Sequence, residues 1–222
     1  MLISTWSDKG GTGKTTLAIL AGMHFDANLL DLDPQGDLLR WAEKANRPCS
    51  AVNSRRQQAL IDAAESDAIT VVDCPPGTDS ASLQGMAFSQ VVVIPTRSGD
   101  ADLVALARAL EAVATVQKNG NPGLVPVVVL NAIRDTARAH GIAKALAVPR
   151  SYTYIGEIKE RVAYEESYAS GTTVLASSNG LAATEATEVL RRLGDVIASL
   201  NGKSKRPKAK AGADSRRAQA RK

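Results

Sequence analysis

Five short apolar runs, largely β-branched, punctuate the chain: "LISTW" (2–6), "NLLDL" (28–32), "AITVVD" (68–73), "QVVVIP" (90–95) and "PVVVLN" (126–131). Near-continuous apolar runs of this length suit parallel strands covered on both faces, since a strand with one wet face would alternate. Between them, apolar residues recur at helical spacing over 14–25, 37–46, 54–66, 80–88, 100–119 and 135–147. Strand then helix, repeated, predicts an α/β fold: a doubly wound, mostly parallel sheet flanked by helices and joined by right-handed crossovers. Near the end, Leu181, Val189, Leu190, Leu193, Val196, Ile197 and Leu200 draw one apolar stripe, predicting a last helix packed on the sheet. After Asn201-Gly202 the stripe stops. The segment "KSKRPKAKAGADSRRAQARK" has nothing to bury and is expected to be disordered. The expected organisation is one domain over 1–202 and a basic tail over 203–222, with no internal repeat.

Charge sharpens that division. The 222 residues carry a net +4, yet residues 203–222 hold nine Lys/Arg against Asp214 alone, or +8, which leaves −4 on the body. An acidic body with a basic end differs from a uniformly basic protein. No apolar run approaches a membrane span, and the N-terminus lacks the basic and apolar regions of a signal peptide. Cys49 and Cys74 are isolated, with no CxxC, and read as plain thiols of a reduced cytosol. His24 and His140 are also lone residues, so no protein-only metal site is expected.

The chemistry concentrates in "STWSDKGGTGKTT" (4–16). Gly10, Gly11 and Gly13 fall between the first strand and the first helix, where glycines let backbone N–H groups converge on phosphate at a helix N-terminus. Lys14 is placed to reach the β/γ-phosphates and Thr15 to ligate Mg²⁺. A dinucleotide fingerprint is the nearer rival, but Thr16 stands where its third glycine belongs. The phosphate-loop pattern is also irregular, since Asp8 occupies the first glycine position and an extra lysine, Lys9, follows.

"KGGTGKTT" resembles the deviant Walker A box of the ParA/MinD family of P-loop ATPases, written K-G-G-x-G-K-[ST]. The resemblance explains the extra lysine: Lys9 would cross a dimer interface to the ATP phosphates of the other subunit, as an arginine finger does. Gly10, Gly11, Thr12, Gly13, Lys14, Thr15 and Thr16 would cradle the nucleotide. "LLDLDPQG" (29–36) looks like the family's second box. There Asp33 would orient or activate the attacking water and help hold Mg²⁺, with Asp31 two residues away on the same strand face. Two acids at a strand end also suit a cap and a solvated turn. "ITVVDCPPG" (69–77) resembles the Walker B strand and switch, with Asp73 holding Mg²⁺ through water, Gly77 sensing the γ-phosphate and Cys74 a small packed neighbour. Asn131 would recognise adenine, or merely cap a turn. "VIPTRSGDADL" (93–103) resembles the loop near the partner's nucleotide. "RVAYEESYASGTTVL" (161–175) resembles a late segment in which a helix start leads to a glycine and a strand-like end.

Two departures qualify the match. "HFDAN" replaces the usual basic, glycine-containing turn, so the first helix is expected to be about a turn shorter than in most relatives. The sequence opens on its first strand with no helix-turn-helix ahead of it, which resembles the small, plasmid-type ParA branch.

The resemblance implies ATP and Mg²⁺ as cofactors, slow hydrolysis stimulated by a partner, and a homodimer in the ATP state. The tail lacks Leu, Ile, Phe and Trp, so it cannot form the membrane-lying helix of MinD-type relatives. Non-specific double-stranded DNA is the expected partner, with no membrane, giving a cytoplasmic, nucleoid-associated protein. A tail that only solubilises is the plainer alternative. Segregation of plasmid or chromosomal DNA with a centromere-binding, ParB-like adaptor is the leading expectation. Positioning of a protein cargo, such as a carboxysome or chemoreceptor cluster, would use the same residues. A metabolic enzyme of dethiobiotin-synthetase type is disfavoured by Lys9.

Overall fold

A computed structural model describes residues 1–52, 57–176 and 180–204. Seven parallel strands lie in the order β3-β2-β4-β1-β5-β6-β7. They are β1 (Leu2–Thr5), β2 (Asn28–Asp31), β3 (Cys49–Ala51), β4 (Thr70–Asp73), β5 (Val91–Thr96), β6 (Val125–Ile133) and β7 (Thr153–Lys159). The helices are α1 (Lys14–His24), α2 (Asp37–Lys44), α3 (Gln57–Glu65), α4 (Ser80–Phe88), α5 (Asp100–Asn119), α6 (Ala137–Leu146), α7 (Val162–Ala169) and α8 (Leu181–Ser204). The expected doubly wound α/β fold is the observed one.

Alternate residues of each central strand enter different cores. Ile3, Leu29, Val71, Val91, Val93, Val127 and Val129 face the layer containing α1, α2 and α8. Their neighbours Leu2, Leu30, Val72, Val92, Ile94, Val128 and Leu130 face α3, α4, α5 and α6. This two-sided burial is why these strands read as continuous apolar runs. Each fully buried Val, Leu or Ile contributes about 1.5–3 kcal/mol, so the sheet centre is the stiffest platform the chain can offer a site. The stripe residues Val189, Leu190, Leu193 and Ile197 close one face.

Three expectations need correction. Strands β3 and β7 were not foreseen. β3 is three residues long and half-buried to exposed; β7 interrupts its apolar positions with Gly156 and charged residues and pairs irregularly with β6. The expected strand-like end near 175 is a short 3₁₀ turn, Val174–Ala176, where packing overrides the β-branched residues. The last helix passes residue 202 and ends at Ser204. Residues 54–56 of the expected third helix, and the tail from 205 onward, lie outside the described residues.

Candidate active site

The sheet places three polar residues in one rank. Register pairs Thr5 with Asp73 and Asp73 with Asp31, so the last residues of β1, β4 and β2 stand side by side. All three are buried at the carboxyl edge, where α/β sheets hold their ligands. Thr5 Oγ1 donates to Asp73 Oδ1 at 2.9 Å, and Thr15 Oγ1, from the first turn of α1, donates to Asp73 Oδ2 at 2.6 Å. Burial pushes the Asp73 carboxyl up to about 7, against those hydroxyls, which favour the anion. A divalent cation there would restore the charged form. Thr15 and Asp73 thus fit the Mg²⁺ role. Among the described residues, no group of three or more His, Cys, Asp or Glu could hold an ion unaided. Phosphate oxygens and waters would have to complete the shell, which is Mg²⁺'s usual habit.

The loop from Ser7 to Gly13 is held by its own atoms. Ser7 Oγ donates to Lys9 O at 2.8 Å and lies 2.7 Å from Thr12 Oγ1. Gly13 initiates α1 with φ +97°, and a Cβ there would overlap the Asn131 amide. Only glycine meets both conditions. Asn131, buried near the end of β6, donates from Nδ2 to Thr12 O at 2.7 Å. It therefore grips the loop itself, a contact that sequence reading missed. A cleft of about 260 Å³ opens beside it, lined by Gly11, Thr16, Asn131, Arg161, Tyr164 and Glu165 among others. Asn131 lines this cleft with its Nδ2 already given to the Thr12 carbonyl.

The two lysines differ. Lys14 is 7% exposed, inside the loop's cup, whereas the Lys9 side chain is 46% exposed. Lys9 Nζ binds Asp102 Oδ1 at 2.6 Å, in the first turn of α5, and Asp8 pairs with Arg108 on the same helix at 2.8 Å. Gly10 and Gly11 are exposed. Asp102 falls within segment 93–103, but a pairing across 93 residues leaves no local signal.

The remaining expected residues line the loops around the cup. Asp33 is half-buried beyond β2, and its Oδ1 accepts the Gln35 N–H at 2.9 Å. This is the solvated-turn geometry, and it uses one carboxylate oxygen. Gly77 donates its N–H to Ser7 O at 3.2 Å, and its own carbonyl accepts Trp6 Nε1 at 2.8 Å. Its amide must leave Ser7 before it can meet a phosphate. Cys74 is fully buried against Gly85, where a Cβ would come within 2.6 Å of its sulfur, and burial raises its thiol well above the ordinary value. It is a packing residue. Helix α2 is tied to α7 and the turn after it by two hydrogen bonds. Tyr168 OH donates to Asp37 O at 3.0 Å, and Trp41 Nε1 donates to Thr172 O at 3.0 Å.

A family model described as CbiA, the CobQ/CobB/MinD/ParA nucleotide-binding domain, matches residues 3–174. The chain belongs to that family. The match spans the phosphate loop, the Asp31–Asp73 rank, Asn131 and α7. No curated protein matches the sequence. Among solved structures, the chain is similar to an aspartate-to-alanine variant of McdA from Cyanothece in complex with ATP, at 19% identity and a TM-score of 0.70. That likeness covers 87% of this chain and 96% of the other. It is also similar to a plasmid partition protein of Borrelia burgdorferi B31 bound to AMPPNP, at 16% identity and TM-score 0.66, covering 88% and 99%. A third is the septum site-determining protein MinD of Pyrococcus horikoshii with Mg-ADP, at 17% identity and TM-score 0.65, covering 89% and 97%. Identities this low speak for the fold. Among the described residues, no helix is long and apolar enough to cross a membrane.

Proposed function

We propose that the chain is a ParA-like ATPase that dimerises on ATP, assembles on DNA without reading sequence, and segregates plasmid or chromosomal DNA. The observation that carries this reading is the different placement of the loop's two lysines. Lys14 sits inside the cup, positioned for phosphates of its own nucleotide. Lys9 sits outside, half exposed, and suits a cation supplied to the nucleotide of a second copy.

The backbone of Gly10–Thr16 would cradle the phosphates, and Thr15 and Asp73 would hold Mg²⁺. When bound, the ion neutralises developing charge on the phosphates. Asp33 orients the attacking water through Oδ2, because Oδ1 is taken by the Gln35 N–H. Release of Gly77 from Ser7 offers its amide to the γ-phosphate. In the nucleotide-bound dimer, two basic ends (203–222, each of net +8) would meet one DNA, which gives DNA binding a reason to depend on ATP. A cargo-bound, ParB-like adaptor would stimulate hydrolysis and release the dimer. Positioning of a protein cargo uses the same residues. Sequencing the DNA beside the gene separates the two: a small DNA-binding reading frame there would favour segregation.

The test is fluorescence anisotropy on arbitrary duplex DNA over a salt series, with ATP and with ADP, for the full chain and for a deletion of 203–222. Binding is expected to require ATP. Deletion should weaken it and flatten the salt slope by about 0.9 for each phosphate that the tail had neutralised. Unchanged affinity in the deletion would move the DNA site onto the folded body. Equal binding, or none, with both nucleotides would contradict the DNA reading.

A further inference from the structure

We propose that Asp31 is a positioning residue for hydrolysis, a single carboxylate that ties the Asp33 loop and the start of α2 to the sheet. The proposal rests on the reading of Asp33 as the residue that orients water. Asp31 is the last residue of β2, buried, and fixed in the rank with Asp73 and Thr5 by strand register. Its two oxygens are divided between two backbone donors. Oδ1 accepts the Asp33 N–H at 3.0 Å and Oδ2 accepts the Leu39 N–H at 2.9 Å.

The second bond answers a deficiency in the sequence. Helix α2 begins at Asp37 after Gly36, which has no side chain and so cannot cap it. Leu39 is the third helical residue, whose N–H an N-cap side chain ordinarily satisfies. Asp31 supplies that acceptor from the neighbouring strand. The same side chain therefore closes a span from Asp33 to Leu39, with the Asp33–Gln35–Gly36 turn inside it. A cap alone would need one acceptor. The use of both oxygens, one of them on the backbone of Asp33, fixes where the Asp33 carboxylate starts from.

A carboxylate only accepts, so it satisfies both N–H groups; an amide would turn its NH₂ toward one of them. Asp31→Asn is therefore nearly isosteric yet breaks one end of the span. Misplacement of a reacting group by about 1 Å can cost about 10²-fold in rate. Single-turnover ATP hydrolysis should fall about ten- to a hundredfold in Asp31→Asn, with ATP affinity, read by equilibrium titration, within about threefold of wild type. Added to Asp33→Ala, the change should cost no further rate.

The outcomes separate the two claims. If Asp33→Ala leaves hydrolysis unchanged, the catalytic reading fails and this proposal goes with it. If Asp33→Ala slows hydrolysis but Asp31→Asn does not, Asp33 stands and the positioning role is overturned. Loss of ATP affinity in Asp31→Asn, or an equal slowing in the Asp33→Ala background, would assign Asp31 to the phosphate site and also overturn it. Should Asp31→Asn not fold, amide hydrogen exchange on the wild-type chain decides. Asp33 and Leu39 should be protected relative to Asp37 and Leu38, and equal exchange would contradict the span.

Discussion

Lys14 and Lys9 sit five residues apart in one loop and meet opposite fates. Lys14 begins a helix, lies buried, and faces a cup whose other parts are in place: the Thr15–Asp73 contact, the Ser7–Thr12 contact and the Asn131 grip on Thr12. Lys9 leaves the loop on its outer side and is held by Asp102 from α5. In the proposed reading the first lysine completes a site within one chain, and the second is held by Asp102 until a second copy arrives. Asp102 is buried but the Lys9 end of the pair is 46% exposed, so a phosphate could compete for the ammonium from the solvent side.

The contrast can be broken from either side. The largest effect is expected from Lys14→Ala, which removes the cation inside the cup. Nucleotide binding should fall below detection by titration, and retained affinity would show that backbone amides alone hold the phosphates. Next is Asp33→Ala. Loss of a positioned water-activating group costs about 10²–10⁴-fold in rate while leaving the cup intact, so an ATP-bound dimer should accumulate. Turnover within a few-fold of wild type would reduce Asp33 to the cap of its own turn. The smallest effect should come from Asp102→Asn. Freed from its carboxylate, Lys9 should favour dimerisation at lower ATP concentrations. Sizing across an ATP titration reads it, and a shift to higher ATP would mean that Asp102 orients Lys9 rather than detaining it.

What was legible in the sequence divides along a similar line. The five central strands and the phosphate loop could be read because their signals are local: apolar runs from two-sided burial, glycines and lysines at fixed spacing. Strand β3, "CSA", carries no apolar signature because its place at the sheet edge buries little of it. Strand β7, "TYIGEIK", mixes apolar with polar residues and contains Gly156, so neither a buried run nor a helix stripe stands out. The hydrogen bonds that finish the site, Thr5 to Asp73, Asn131 to Thr12 and Lys9 to Asp102, join residues 68, 119 and 93 apart. No local pattern encodes such pairings. Asp31 is intermediate: sequence placed it on the face of Asp33, and only the fold shows its carboxylate reaching Leu39.

The central claim is that Lys9 acts on a second copy while Lys14 acts on its own. It is tested most directly by light-scattering mass measurement of wild type and Lys9→Ala with a non-hydrolysable ATP analogue, alongside titration of the analogue into each. Wild type should double its mass, and Lys9→Ala should bind the analogue within a few-fold of wild type yet remain single. A Lys9→Ala chain that dimerises as wild type does would contradict the account.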